Sequence, residues 1–253
     1  MAWAMRTAGL DMALLLLSNA SREASLRDSF DEEMAVRAPE SFKLDVPHAA
    51  LVVTDPQVDF LSPRGATWSA VGASVQRNNT VQNIERLLKA ARQADMVVAI
   101  SPHHYYSSDH RWGFGGPLER LMDRIRLLDR GALTVTESEP SGADLLPQFK
   151  PYLLDRKTIV AAPHRVYGPG NDELAWRLRD YQIDQVILAG MSANLCVESH
   201  LRALLERGFE VAVVKDATAA ATLAEDDGYL AALINFRYLA NALWSTDETL
   251  QHI

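Results

Sequence analysis

Two residues far apart in the chain are of the types that carry nucleophilic chemistry. Cys196 is the only cysteine among 253 residues. It follows Val186-Ile187-Leu188-Ala189-Gly190, where an apolar strand breaks at glycine and the polar residues Ser192 and Asn194 lead into a helical pattern. A thiol in the first turn of a helix faces backbone N–H groups without intrahelical partners and the positive end of the dipole. Both favour thiolate, the nucleophilic form. Without partners, the same cysteine reads as a small buried apolar residue. Asp55 offers the partner. It closes the run Ala49–Thr54 and opens the string Asp55-Pro56-Gln57-Val58-Asp59-Phe60. A carboxylate there can take the thiol proton as a general base, although Asp before Pro is also a common turn residue.

The elements that must hold this pair alternate between strand and helix. Ala49–Thr54 is an apolar, β-branched run, as a strand covered on both faces of a parallel sheet is. The pattern predicts a helix over about 75–94, a strand over 96–101, and a helix over 118–127. A short strand over 133–136, a strand over 158–162 and a helix over 171–182 follow. Beyond these come strand 186–190, helix 195–207, strand 211–214, helix 229–243 and a last short strand near Trp244. Strand–helix alternation implies a mostly parallel sheet with helices on both sides, an α/β fold. In such sheets ligands bind outside the carboxyl ends of the strands, where Asp55 and Cys196 both fall. Residues 1–45 read as an N-terminal extension, 46–253 as the domain, and 102–157 as an insertion over the sheet edge, of a length that is more often functional than idle.

Composition narrows the class. The chain is 48% hydrophobic and 23% charged, with a net charge of −8, as in an ordinary soluble domain. The acidic balance argues against a nucleic-acid partner. No run approaches the ~20 apolar residues of a membrane span. Met12–Leu17 is short and follows Asp11, so it reads as an arm rather than an export signal. One cysteine fits a reducing compartment, and the expected location is cytoplasmic. Neither a G-x-G-x-x-G nor a P-loop is present, so no nucleotide cofactor is expected.

The Asp55–Phe60 string, the turn from Gly190 to Cys196-Val197-Glu198, and the strand end Lys215-Asp216-Ala217 together resemble the isochorismatase-like cysteine hydrolases. That family includes nicotinamidases, N-carbamoylsarcosine amidases and ureidoacrylate hydrolases. The resemblance covers roughly residues 47–250. It implies a Rossmann-like three-layer α/β/α fold and an Asp, Lys and Cys triad. In that triad Cys196 attacks a carbonyl carbon, Asp55 relays the proton to the leaving nitrogen, and water hydrolyses the acyl-enzyme. It also implies a cis peptide at Met191-Ser192 and an oxyanion held by backbone N–H groups between Ala193 and Cys196. Isochorismatases proper cleave a vinyl ether and can lack the cysteine. Similar proteins are commonly oligomers, so a homo-oligomer acting on a small molecule is expected.

One departure stands out. The family's lysine position falls on Pro163, in Ala162-Pro163-His164-Arg165-Val166-Tyr167. Lys157 sits at the opposite end of that strand, about 16 Å away at ~3.3 Å per residue. His164 can pair with Asp55 and transfer a proton; Arg165 can pair but not transfer one. Both stay open as the replacement, with Lys215 behind them. Gln57, Asn194, Phe60, Tyr167 and Trp112 are candidate substrate contacts. His103, His104, Asp109 and His110 cluster after the second strand, yet without recognisable ligand spacing, so no metal is expected. The expected activity is hydrolysis of a C–N bond in a small amide, carbamoyl or ureido compound. The alternatives are a vinyl-ether or ester hydrolase using the same site, and a catalytically silent member that binds a ligand or scaffolds an assembly.

Overall fold

The structure is a computed structural model that describes residues 42–104, 115–128, 141–153, 157–224 and 226–253. The described residues belong to one unit, Phe42–Ile253. Six strands, β1 (Ala49–Thr54), β2 (Val97–Ser101), β3 (Ile159–Val160), β4 (Gln185–Met191), β5 (Glu210–Ala219) and β6 (Ala242–Trp244), form one sheet in the order β3-β2-β1-β4-β5-β6. Every pairing is parallel. The helices are α1 (Val58–Leu61), α2 (Trp68–Arg77), α3 (Thr80–Gln93), α4 (Pro117–Arg124) and α5 (Lys150–Leu153). After them come α6 (Glu173–Asp180), α7 (Glu198–Glu206), α8 (Gly228–Leu239) and α9 (Thr246–His252). None of the described helices is long and apolar enough to cross a membrane.

Strand periodicity divides the core in two. Leu51 and Val53 of β1 point into a layer with Val71 and Val75 of α2 and Ile84, Leu87 and Leu88 of α3. Ala50 and Val52 point the other way, into a layer with Leu174 and Leu178 of α6, Leu201 and Leu204 of α7, and Phe236 of α8. This is the three-layer α/β/α arrangement with a Rossmann-like strand order. All residues of β1 and β4 are buried, which is why both runs are apolar between their ends, with only the terminal Thr54 and Gln185 polar, instead of alternating.

Several boundaries differ from the pattern-based expectation. The helix expected over 75–94 is two helices, because Asn79 takes a left-handed conformation (φ 51°) between α2 and α3; Asn tolerates that region better than most residues. The strand expected to end at 214 runs on to Ala219. The C-terminal helix α9 is absent from the expected pattern, although its capping box is written in the sequence. Ser245 accepts from the Glu248 N–H, and Glu248 reaches back to the Ser245 N–H. Phe42, ahead of the expected boundary at 46, packs on Trp244 with ring centroids 5.3 Å apart. The expected strand at 133–136 and most of the 1–45 extension lie outside the described residues.

The sheet order reverses between β1 and β4, since β2 and β3 lie to one side of β1 while β5 and β6 lie beyond β4. Such a switch point opens a crevice at the carboxyl ends. Register sharpens it: Thr54 pairs with Ser101 of β2 and with Gly190 of β4. The chain therefore leaves β1 and β2 at one level, at Asp55 and Pro102, and leaves β4 one residue beyond it, after Met191.

Candidate active site

Asp55 leaves β1 with φ 47° and is fully buried. A non-glycine residue in that region costs about 1–3 kcal/mol, so the surroundings must hold it. Its N–H donates to the Ser101 carbonyl at 3.0 Å, and its own carbonyl accepts from Gln57 N–H at 2.7 Å. The next residues are laced to the end of the insertion. Val58 N–H donates to Asp144 O, Asp59 N–H to Gly142 O, and Leu146 N–H to Pro56 O, at 2.9–3.0 Å. The buried Asp59 carboxylate accepts the N–H groups of Ala66 (3.0 Å) and Leu128 (2.7 Å).

On the other side of the crevice, β4 approaches β1 so closely at Gly190 (φ 117°) that a Cβ there would lie 2.0 Å from the Thr54 carbonyl oxygen. Thr54 Oγ1–H donates to Met191 O at 3.1 Å. The Met191-Ser192 peptide is cis. Ala193–Val197 then forms a single π-helical turn before α7. Cys196 thus sits inside an irregular turn and not in the first turn of an α-helix. It is 3% exposed, and its thiol donates to the Val166 carbonyl at 3.6 Å.

Beyond β3 the chain runs alongside the continuation of β2. His103 and His164 form a parallel bridge, with His164 N–H donating to Pro102 O and His104 N–H to His164 O. This pairing turns the His164 side chain inward, where its Nε2–H donates to Asp55 Oδ1 at 2.8 Å. Both side chains are fully buried. Arg165, next along, is exposed, and its carbonyl accepts Nε2–H of His103 at 2.6 Å. Lys215 pairs with Glu248 (3.5 Å) and Lys157 with Asp95 (2.6 Å). One donor atom each from Asp55, His103, His164 and Cys196 all lie within 4.8 Å of one another. Asp55 Oδ2 and His164 Nδ1 are buried and have no hydrogen-bond partner.

Two more histidines complete the surroundings. His103 stacks on Phe60 (5.9 Å) and lies 4.9 Å from the His164 ring. His200 stands edge-on to His164 at 5.1 Å. It donates Nδ1–H to the Cys196 carbonyl at 2.7 Å and accepts the Ser101 hydroxyl at Nε2 at 2.8 Å, which fixes its neutral tautomer. Sequence reasoning gave His200 no role. Its only signal was its place one helical turn after Cys196.

The remaining candidates divide. Gln57 is buried, and its amide is engaged with the main chain: Nε2 donates to His103 O and Ala143 O, and Oε1 accepts His103 N–H, all at 2.8 Å. Phe60 backs the site through His103. Tyr167 is half-buried; burial, then the Glu119 carboxylate and then Cys196, push its phenol above the usual value. Asn194 is half-buried, with its amide packed on Gly228 at the start of α8. Trp112, Asp109 and His110 lie outside the described residues.

The electrostatics set a resting state. Burial pulls Asp55 upward, but the charge and hydrogen bond of His164, followed by the charge of His103, outweigh it and hold the carboxyl below its ordinary range. Burial pushes the Cys196 thiol well above its ordinary value, and the Asp55 charge pushes it further. The N–H groups of Ser192 and Cys196 pull the sulfur the other way, but less. Burial lowers His103 and His200 to about 4 each. The resting pair is therefore carboxylate and thiol, where the sequence had suggested thiolate. A thiol beside a charged carboxylate can lose its proton to that carboxylate as it attacks.

Residues 49–248 match the Isochorismatase domain family. The chain is 29% identical over 184 residues to the ureidoacrylate amidohydrolase RutB of Variovorax paradoxus (strain S110), a match spanning 71% of this chain and 72% of that protein. In structure it is similar to a cysteine hydrolase from Pseudomonas syringae pv. phaseolicola, with a TM-score of 0.66 and 22% identity over 83% of this chain and 94% of the other. It is also similar to N-carbamoylsarcosine amidase from Thermoplasma acidophilum, with a TM-score of 0.55 and 23% identity over 79% of this chain and 97% of the other. With the six-stranded parallel sheet and the family match over almost all of the described unit, this chain belongs to the isochorismatase family of hydrolases.

Proposed function

We propose that the chain is a cysteine hydrolase that cleaves a C–N bond of a small amide, carbamoyl or ureido compound through a covalent acyl-enzyme. The observation that carries this reading is the meeting of Asp55, His164 and Cys196 donor atoms within 4.8 Å at one strand-end crevice. As Cys196 Sγ bonds to the carbonyl carbon, its proton passes to Asp55. The N–H groups of Ser192 and Cys196, which already face the sulfur, are positioned to stabilise charge on the carbonyl oxygen. Asp55 then gives the proton to the leaving nitrogen as the C–N bond breaks. Water attacks the thioester, loses its proton to Asp55, and the sulfur leaves and recovers that proton. His164, one residue past the position expected for the family's lysine, holds the Asp55 carboxylate through Nε2–H. The ureidoacrylate amidohydrolase and carbamoylsarcosine amidase relatives support the substrate class.

The test is ammonia release from a panel of ureido, carbamoyl and primary-amide compounds, with intact-mass detection of the acyl adduct. Release that Cys196→Ala abolishes supports the reading. Release that survives in Cys196→Ala, or none from any compound in the panel, rejects it.

A further inference from the structure

His103 has no step in the proposed hydrolysis, yet with Asp55, His164 and Cys196 it completes a set of four metal-ligand types. We propose that Asp55, His103, His164 and Cys196 form a tetrahedral zinc site in which a bound ion blocks the sulfur and switches the protein off. Binding of the ion does not need the hydrolase reading, whereas switching off rests on it.

The donor set comes first. A carboxylate oxygen, two imidazole nitrogens and a thiolate are the ligand types that Zn2+ takes, and no lysine or arginine side chain is among them. An imidazole at 164 can ligate, whereas a permanent cation there would repel the ion. Compactness comes second. Bond lengths of about 2.0–2.3 Å in a tetrahedron place ligand atoms roughly 3.3–3.8 Å apart. The four atoms already lie within 4.8 Å of one another, so side-chain rotations of an ångström or so close the site. Charge comes third. One dication balances one carboxylate and one thiolate in a region shielded from water, where unbalanced charge is costly.

The surroundings also suit a metal. His103 donates Nε2–H to the Arg165 carbonyl at 2.6 Å, which puts its lone pair on Nδ1. Metal-bound histidines characteristically donate their other N–H to a backbone carbonyl. Asp55 Oδ2 is a buried oxygen that accepts no hydrogen bond, and an ion would satisfy it. When the ion enters, the thiol proton leaves to solvent. His164 likewise releases its Nε2 proton, which leaves the ring neutral with its proton on Nδ1, an atom without a partner, so that Nε2 can ligate. The sulfur lone pair then belongs to the metal and is unavailable for attack.

The experiment uses the full chain freed of metal with a chelator that is then removed, and no substrate. Co2+ is titrated as a spectroscopic probe, then displaced by Zn2+. The expected result is one Co2+ per chain, with tetrahedral d–d bands and a near-ultraviolet thiolate-to-cobalt charge-transfer band. Because Cys196 is the only cysteine, that band reports this sulfur alone. Zn2+ should also protect Cys196 from iodoacetamide, reversibly on adding EDTA. In His164→Lys and His103→Gln, with folding checked by circular dichroism, affinity should fall at least about tenfold. Absence of the charge-transfer band in the wild type overturns the proposal, and that measurement needs no variant. A band undiminished in both variants overturns it as well. Neither outcome depends on whether the amide panel yields ammonia.

Discussion

Replacing His164 by Ala removes the 2.8 Å hydrogen bond that the buried Asp55 carboxylate accepts at Oδ1. Oδ2 has no partner to take over the load. Breaking a buried pair by deleting one member costs about 3–5 kcal/mol, because the other charge stays behind unpaired. The sign of the pH dependence follows. In the wild type Asp55 is held below its ordinary range, so its contribution is present above the unfolded carboxyl pKa and fades only as pH falls through the folded value. Without His164, burial is the dominant remaining influence and pushes Asp55 upward. The variant's deficit is therefore largest at neutral pH and shrinks as acid protonates Asp55. Urea unfolding of metal-free protein at pH 7 and pH 5 reads both effects. His164→Gln, which restores a neutral donor, should recover about 1 kcal/mol. On a substrate identified by ammonia release, kcat/KM of His164→Ala should fall at least about 100-fold, since a protonated Asp55 cannot accept the thiol proton. A variant within about 1 kcal/mol of wild type, with an unchanged pH profile, would refute the assignment of His164 as the partner of Asp55.

Two further outcomes are expected. His103 and His200, held near 4 by burial, bind fewer protons folded than unfolded between about pH 6.5 and 4, so stability should drop across that window by on the order of 3 kcal/mol per histidine and level off below it. Urea midpoints measured with EDTA present check this, and a flat profile counts against their burial as neutral groups. Asp59→Asn sets an NH2 against one of the two N–H donors, Ala66 and Leu128, that the carboxylate now accepts; it should cost about 1–3 kcal/mol and speed hydrogen exchange at Leu128, and an unchanged exchange rate there would refute the pinning role.

The sheet was readable because burial on both faces confines polar residues to the strand ends, Thr54 in β1 and Gln185 in β4, and an apolar run of that length bounded by turn residues marks a doubly covered strand. The Asp55 and Cys196 positions were readable for the same reason, since both follow such runs. What could not be read was direction within irregular backbone. His164 and Arg165 are neighbours in a segment with no periodicity, and only pairing with His103 determines which of them faces the sheet. The π-helical turn was hidden too, because residues 193–197 carry an α-compatible pattern. The protonated resting thiol escaped because sequence shows a helix start but not the burial that opposes it. Gln57 looked like a ligand contact because a polar residue at a strand end usually is one. Its partners, His103 and Ala143, are supplied by remote segments.

The strand register has a consequence for how the protein matures. Asp55 and His164 are 109 residues apart in the chain, and Thr54 meets Met191 across a separation of 137. Contacts of such long range form late, after the entropy of closing large loops has been overcome. No autonomous fragment ending before β4 would carry a working centre, and a refolding chain should acquire its distinctive sulfur chemistry only with the last docking of β4 against β1. The reactivity of a single side chain would then serve as a clock for completion of the whole domain.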